Sequence, residues 1–321
     1  MNNIFKNKEH QTFFDKNGFV LIDTTVLNEN TIKSLLDLQT KISDNNVQKI
    51  DKDFFVGMEH PDKNLVCIIN TTICNILKPI LDNFTIDYRP FLSNFITKPP
   101  NRNSKILPHQ DWTFTEDEEI QSTLTCWIPL VDTNLENGCL GLLKGSHLFL
   151  NNIRFSPPVS NIQSPLSNHS DWILPYFEWL PMKAGSILFF DYRIFHTSLP
   201  NISTDNRIAI GSWLVHKNST FCHYYINPNN QNELLKYKVD EEFYINYDNF
   251  ILSQMFQNNQ LIIDYEIVER VPVDKNIIYK KQLMKLIKSS GSKFKDLPKS
   301  LMLQKDKFDR LKYLFNRILS I

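Results

Sequence analysis

The sequence predicts a mainly β fold with flanking helices, and three observations carry that expectation. Short β-rich apolar runs, bounded by turn residues, recur between residues 91 and 216. Before them, residues 8–17, 32–42 and 65–84 carry apolar side chains near helical spacing. Hydrophobic residues make up 42% and aromatic residues 12% of the 321, enough for a large β domain with helical additions, or for two small domains.

In chain order, residues 8–17 suit a short helix stopped at Gly18, and Phe19–Ile22 a buried strand. Asn28 or Asn30 caps a helix over Ile32, Leu35, Leu36, Leu38 and Ile42. A second helix from Leu65 to Phe84 is expected to break near Pro79. These helices are expected on one outside face of a sheet, with His10 and His60 as ordinary exposed histidines. Residues 91–98 and 105–112 read as strands around a Pro-Pro-Asn-Arg-Asn-Ser loop. Residues 114–122, with Glu116, Asp117, Glu118 and Glu119, read as a solvated acidic loop. Leu124–Val131 is the next strand, 132–138 a turn, and 138–143 a return to the sheet. The proline-rich segment 150–178 has the character of a lid or substrate wall; His169, Asp171 and Trp172 within it read as loop surface, with substrate contact as the alternative.

Two further strands close this region, 185–196 and 207–213. Beyond them lie an aromatic cluster (Phe221, His223, Tyr224, Tyr225), an aromatic amphipathic stretch 243–256, and a strand or helix start at Leu261–Ile263. From Asp274 the chain turns basic, and Phe308, Leu311, Phe315 and Ile318 recur at helical spacing. That pattern reads as a terminal helix packed on the domain; docking to an acidic carrier or an anionic membrane surface are the alternatives. The expected division is 1–220, with its core at 88–216, followed by a partly helical extension at 221–321.

Equal numbers of basic and acidic residues, 35 each, supply no charge signature for nucleic acid, and no such partner is expected. Five scattered cysteines without CxxC spacing read as reduced residues of a cytoplasmic protein. No apolar signal core or run of about 18 apolar residues stands out, so no membrane span is expected.

The chemistry centres on His109-Gln110-Asp111. Two residues apart on an extended strand, the imidazole and carboxylate point to one face. Alone, such a pair is more often a solvated loop feature than a metal site. His196, at the end of a later apolar run, supplies a second imidazole, which makes a 2-His-1-carboxylate set suited to iron(II) with open positions. On the following strand Arg207 offers a planar, permanently charged fork for a carboxylate, and Ser198 a hydroxyl beside it. An iron site with a carboxylate-binding arginine points to a keto-acid co-substrate.

These residues sit in a wider pattern. Thr125-Cys126-Trp127-Ile128-Pro129-Leu130-Val131-Asp132 follows the His-x-Asp pair, then Glu136-Asn137-Gly138-Cys139-Leu140 and Lys144-Gly145-Ser146-His147. Ala184-Gly185-Ser186 leads to His196, and Ser198-Leu199-Pro200-Asn201 to Arg207. In this order and spacing the chain resembles the phytanoyl-CoA dioxygenase (PhyH-like) family of Fe(II)/2-oxoglutarate oxygenases, strongly over 105–216 and more weakly over 10–100.

The resemblance implies a double-stranded β-helix, or jelly roll, with helices on one side. It implies His109, Asp111 and His196 as iron ligands, and Arg207 with Ser198 on the distal carboxylate of 2-oxoglutarate. Trp127 would line the co-substrate pocket, Gln110 would touch it, and Asn94 is the candidate from the preceding strand. His147 corresponds to a structural histidine. Oxygen is the implied second co-substrate, with succinate and CO2 as co-products of hydroxylating an unactivated C–H bond. The substrate would be a small molecule, free or tethered to CoA or a carrier protein. Asp111 argues against halogenation, for which family relatives lack this carboxylate. Desaturation, ring closure or a non-catalytic binding role on the same scaffold are the alternatives.

Overall fold

The computed structural model describes residues 3–44, 55–157, 165–166, 169–274 and 278–298. Helix α1 (Lys8–Asn17) starts behind Asn7, whose side chain accepts from the Glu9 and His10 amides, and it ends where Gly18 turns left-handed at φ 79°. A Cβ at Gly18 would lie 2.4 Å from His147 Nδ1, so both backbone and packing require glycine there. Strand β1 (Phe19–Ile22) follows. Helix α2 (Glu29–Asp44) begins behind Asn28, whose carboxamide oxygen accepts from the Thr31 amide.

After β2 (Phe55–Val56) and a 3-10 turn at Gly57–Glu59, α3 (Lys63–Phe84) runs through Pro79 without the expected break. Pro79 and Asn75 are both exposed, so the carbonyl deprived of its helical partner faces water. On the opposite side Ile69, Ile73, Leu77 and Leu81 are fully buried and hold the helix on the sheet. The length of α3 and its mean hydropathy of 1.4 match a membrane span by composition, but its outer face carries exposed Asn64, Thr71, Lys78 and Asp82. His60, expected at the surface, is buried, and its Nδ1 accepts from the Asp62 amide.

The remaining elements of the core are β3 (Tyr88–Lys98), β4 (Ile106–His109), β5 (Leu124–Pro129), β6 (Leu140–Leu142), α4 (Ser170–Ile173), β7 (Glu178–Leu180), β8 (Ile187–Asp191), β9 (His196–Ser198) and β10 (Arg207–His216). They form two antiparallel sheets, ordered β1-β8-β5-β10-β3-β2 and β4-β9-β6-β7. Side chains alternate across the larger sheet. Phe95, Ile128, Phe189 and Ile210 face outward onto α1–α3, while Trp127, Leu188 and Phe190 face inward onto Leu140, Leu142 and Leu180 of the smaller sheet. Two such sheets, with helices over one outer face, make the jelly roll.

The extension holds more sheet than its sequence announced. Strands β11 (Cys222–Ile226), β12 (Glu233–Lys238) and β13 (Glu266–Pro272) form a three-stranded antiparallel sheet, flanked by α5 (Glu241–Asn246) and α6 (Asn249–Gln257). All five residues of β11 are buried, so it lacks the apolar–polar alternation that marks a half-exposed strand. Leu261–Ile263 is neither strand nor helix; Ile262 plugs the aromatic cluster and Ile263 projects into solvent. Helix α7 (Lys280–Ser289) packs Leu283 and Ile287 against Leu143, Ile173 and Phe177. The helical pattern at Phe308, Leu311, Phe315 and Ile318 lies outside the described residues.

Candidate active site

Strands β4 and β9 are neighbours, and their register sets His109 opposite His196 with ring centroids 4.1 Å apart. Asp111 sits just past the end of β4, with Oδ1 3.7 Å from His196 Nε2. One ligand atom from each of the three residues lies within 4.8 Å of the other two. This is the facial arrangement of two imidazoles and one carboxylate that suits iron(II).

The neighbours aim each group. His109 Nδ1 lies 2.9 Å from the Leu107 carbonyl and His196 Nδ1 3.2 Å from the Ile194 carbonyl. A carbonyl only accepts, so in both rings Nδ1 carries the hydrogen and Nε2 keeps its lone pair for a metal. Asp111 Oδ2 accepts from Thr125 Oγ1 at 2.8 Å and from Trp213 Nε1 at 3.2 Å, leaving Oδ1 toward His196. Burial, and after it the His109 charge, lower the pKa of His196 to about 4 against the opposing pull of Asp111. His196 is therefore neutral near pH 7, the form a metal needs.

The triad opens on a cavity of about 320 Å³ that Gln110, Trp127, Ser198 and Arg207 also line. Arg207 is 1% exposed, and among the described residues no carboxylate lies within 4.0 Å of it. Among the described residues its Nε has no partner, Nη1 reaches the Ile96 carbonyl only at 3.5 Å, and the guanidinium lies 5.5 Å from the Trp127 ring centre. Burial alone pushes its pKa down to about 10, the mark of a charge without an anion beside it.

Ser198 is buried in the same wall, where its Oγ accepts from Lys98 Nζ at 2.6 Å. Lys98 was not singled out in the sequence. It is fully buried and lies opposite Arg207 in the β3–β10 register. Burial, then the Arg207 charge, hold its pKa well below the usual lysine value. The available signal was a lysine on the inward face of β3, two residues after Ile96.

Asn94 shares that strand face with Leu92 and Ile96 but does not line the cavity; its Cβ lies against Gly57. Both polar atoms of its side chain are buried without a partner among the described residues. Gln110 lines the cavity, yet its amide donates to the Arg193 carbonyl at 2.5 Å and its oxygen accepts from Asn152 at 3.4 Å. His147 stands apart from the triad, where its Nε2 bonds the Asp15 carbonyl at 3.2 Å and its ring packs on Gly18.

Two expectations about the surrounding loops are corrected. The acidic loop is not uniformly solvated: Glu118 is buried, takes two bonds from Arg154 at 3.0 and 2.7 Å, and accepts from the Tyr192 hydroxyl. Arg154 Nε also donates to the Asp111 carbonyl at 3.1 Å, so this pair braces the ligand turn. Nor is His169 at the loop surface: it is buried, and neither it nor Trp172 lines the cavity. His169 Nε2 bonds the Ile278 carbonyl at 2.6 Å, Trp172 donates to His169 Nδ1, and both sit under the α7 side of the core. The side chain of Asp171 lies outside the described residues.

The family model of phytanoyl-CoA dioxygenase (PhyH) matches residues 14–209, more than half of the chain. The chain belongs to the PhyH family. It is 32% identical over 120 residues to phytanoyl-CoA dioxygenase domain-containing protein 1 of Rattus norvegicus, covering 36% of this chain and 41% of that one. It is 33% identical over 126 residues to a phytanoyl-CoA dioxygenase of Arabidopsis thaliana, again covering 36% and 41%. The chain thus spans 41% of the length of these PhyH relatives. Among solved structures its fold is similar to that of the non-heme alpha ketoglutarate dependent carbocyclase SnoK from nogalamycin biosynthesis. The TM-score is 0.50 at 24% identity, covering 67% of this chain and 86% of that one, a likeness of fold.

Proposed function

We propose that this PhyH-family protein is a non-haem iron(II), 2-oxoglutarate-dependent dioxygenase that hydroxylates an unactivated C–H bond of a small molecule, free or tethered. One observation carries the reading: a buried arginine with no counter-charge among the described residues opens on the same cavity as the His109, Asp111 and His196 set. A buried cation of this kind asks for an anion from outside the chain. A keto acid with a distal carboxylate satisfies it while its other end meets the metal.

His109, Asp111 and His196 would hold the ferrous ion. When bound, that ion supplies oxygen activation coupled to loss of CO2 from the keto acid, which leaves succinate. The chain's own residues do the rest. Arg207 and Ser198 take the distal carboxylate, and Trp127 packs beneath the arginine. Thr125 and Trp213 hold Asp111 by one oxygen so that the other stays aimed. Met58, Leu92, Trp112 and Phe114 also line the cavity and offer an apolar bed for the carbon to be oxidised.

The test is succinate release over a panel of apolar small molecules with Fe(II), oxygen and 2-oxoglutarate. Release should require all of these, and the product should gain one oxygen atom. Asp111→Ala should abolish substrate-dependent release; undiminished release would remove Asp111 from the metal site. A product lacking two hydrogens instead would point to desaturation or ring closure at the same centre.

A further inference from the structure

A serine hydroxyl accepts hydrogen bonds and donates one, whereas an ammonium only donates. Lys98 Nζ lies 2.6 Å from Ser198 Oγ, so Ser198 is the acceptor in that contact. Its own hydrogen must point elsewhere, and Ser198 lines the cavity that Arg207 lines. Lys98 is held in place by a second bond, to the Leu199 carbonyl at 2.8 Å. Gly138 makes the space: it turns at φ +82°, and a Cβ there would lie 2.5 Å from the Leu199 carbonyl oxygen and 3.0 Å from Lys98 Cδ. The β3–β10 register then sets the lysine opposite Arg207. Lys98 thus holds one side of the hydroxyl, and Arg207 lines the cavity on which Ser198 opens.

We infer that Lys98 is a positioning residue for the anion subsite: by occupying the acceptor side of Ser198 it turns that hydroxyl into a donor toward the distal carboxylate of the bound keto acid. The inference rests on the 2-oxoglutarate reading of the cavity. It also implies selectivity, because a keto acid without a distal carboxylate leaves the donor from Ser198 and the charge on Arg207 unanswered.

Glutarate tests this, since it carries the two carboxylates without the keto group that chelates a metal. Its binding to the full chain loaded with Mn(II) is measured by calorimetry, beside that of 2-oxoglutarate. Lys98→Met should weaken both ligands by about tenfold, the scale of one charge-assisted hydrogen bond. In a Ser198→Ala background the same change should cost little more, because the lysine acts through the serine. Mn(II) affinity should stay at the wild-type value in each variant, which a general loss of structure would not allow. Should Lys98→Met fail to fold, Lys98→Gln retains an N–H donor of neutral charge and should bind glutarate with intermediate affinity. Wild-type glutarate affinity in the folded Lys98 variant, or a loss fully additive with Ser198→Ala, overturns the role of Lys98 alone. Failure of the wild-type protein to bind either dicarboxylate overturns the co-substrate reading with it.

Discussion

Two buried arginines flank the metal-ligand set, and their surroundings are opposite. Arg154 lies against Glu118 with two short bonds, sits 4.7 Å over the Tyr192 ring, and donates to the Asp111 carbonyl. Arg207 has a stacked tryptophan and one long bond to a carbonyl, with no carboxylate within 4.0 Å among the described residues. The attraction of Glu118 raises the pKa of Arg154 despite its burial, whereas for Arg207 burial outweighs the one opposing influence, that of Cys139. The first charge is answered within the chain and serves as scaffold. The second faces the cavity, and in the proposed function it is the binding group for the keto acid. Nearby, His223 solves the same problem in a third way. It is fully buried between Trp112 and Phe243, Nε2 bonds Ser156 Oγ at 2.6 Å, and burial lowers its pKa to about 3. It stays neutral.

Three measurements break or sharpen this contrast. The largest effect belongs to the scaffold pair. Glu118→Ala leaves Arg154 buried without its carboxylate and should cost about 3–5 kcal/mol in urea unfolding. The double change Glu118→Leu/Arg154→Met should recover much of that loss; if the single change is neutral, the pair is not structural. Next comes the binding arginine. Arg207→Met should raise the 2-oxoglutarate KM about a hundredfold, roughly 3 kcal/mol, while the unfolding midpoint stays level or rises. A fall in stability like that of Glu118→Ala would erase the distinction between the two arginines.

The smallest effect is that of pH on the neutral histidine. The unfolded chain protonates His223 near 6.5 and the folded chain only near 3, so between those values the unfolded state holds the extra proton. Stability should therefore fall as pH drops through that window, by roughly 2 kcal/mol at pH 5. His223→Gln should flatten that slope, and an unchanged slope would place its origin in other groups.

Much of the core was legible because its signals are local. The Gly18 stop of α1, the Asn28 cap and the His109-x-Asp111 spacing all act within a few residues. What escaped notice depended on distant partners. Glu118 read as a solvated acid because Arg154 lies 36 positions away, and Lys98 went unremarked because Ser198 lies 100 positions away. Pro79 was expected to break its helix, since a local rule cannot know that the freed carbonyl faces water and the other side is pinned to the sheet. In the three-stranded sheet of the extension, β11 is buried along its whole length and so shows no alternation to read.

By itself, then, the sequence determined which ligands and cations the chain carries and which short segments become strand or helix, because those preferences act between near neighbours. Only the tertiary structure decided which charges meet an opposite charge and which are left facing a cavity. That outcome depends on separations of a few ångströms in a medium of low dielectric, and such separations are set by strand register and packing.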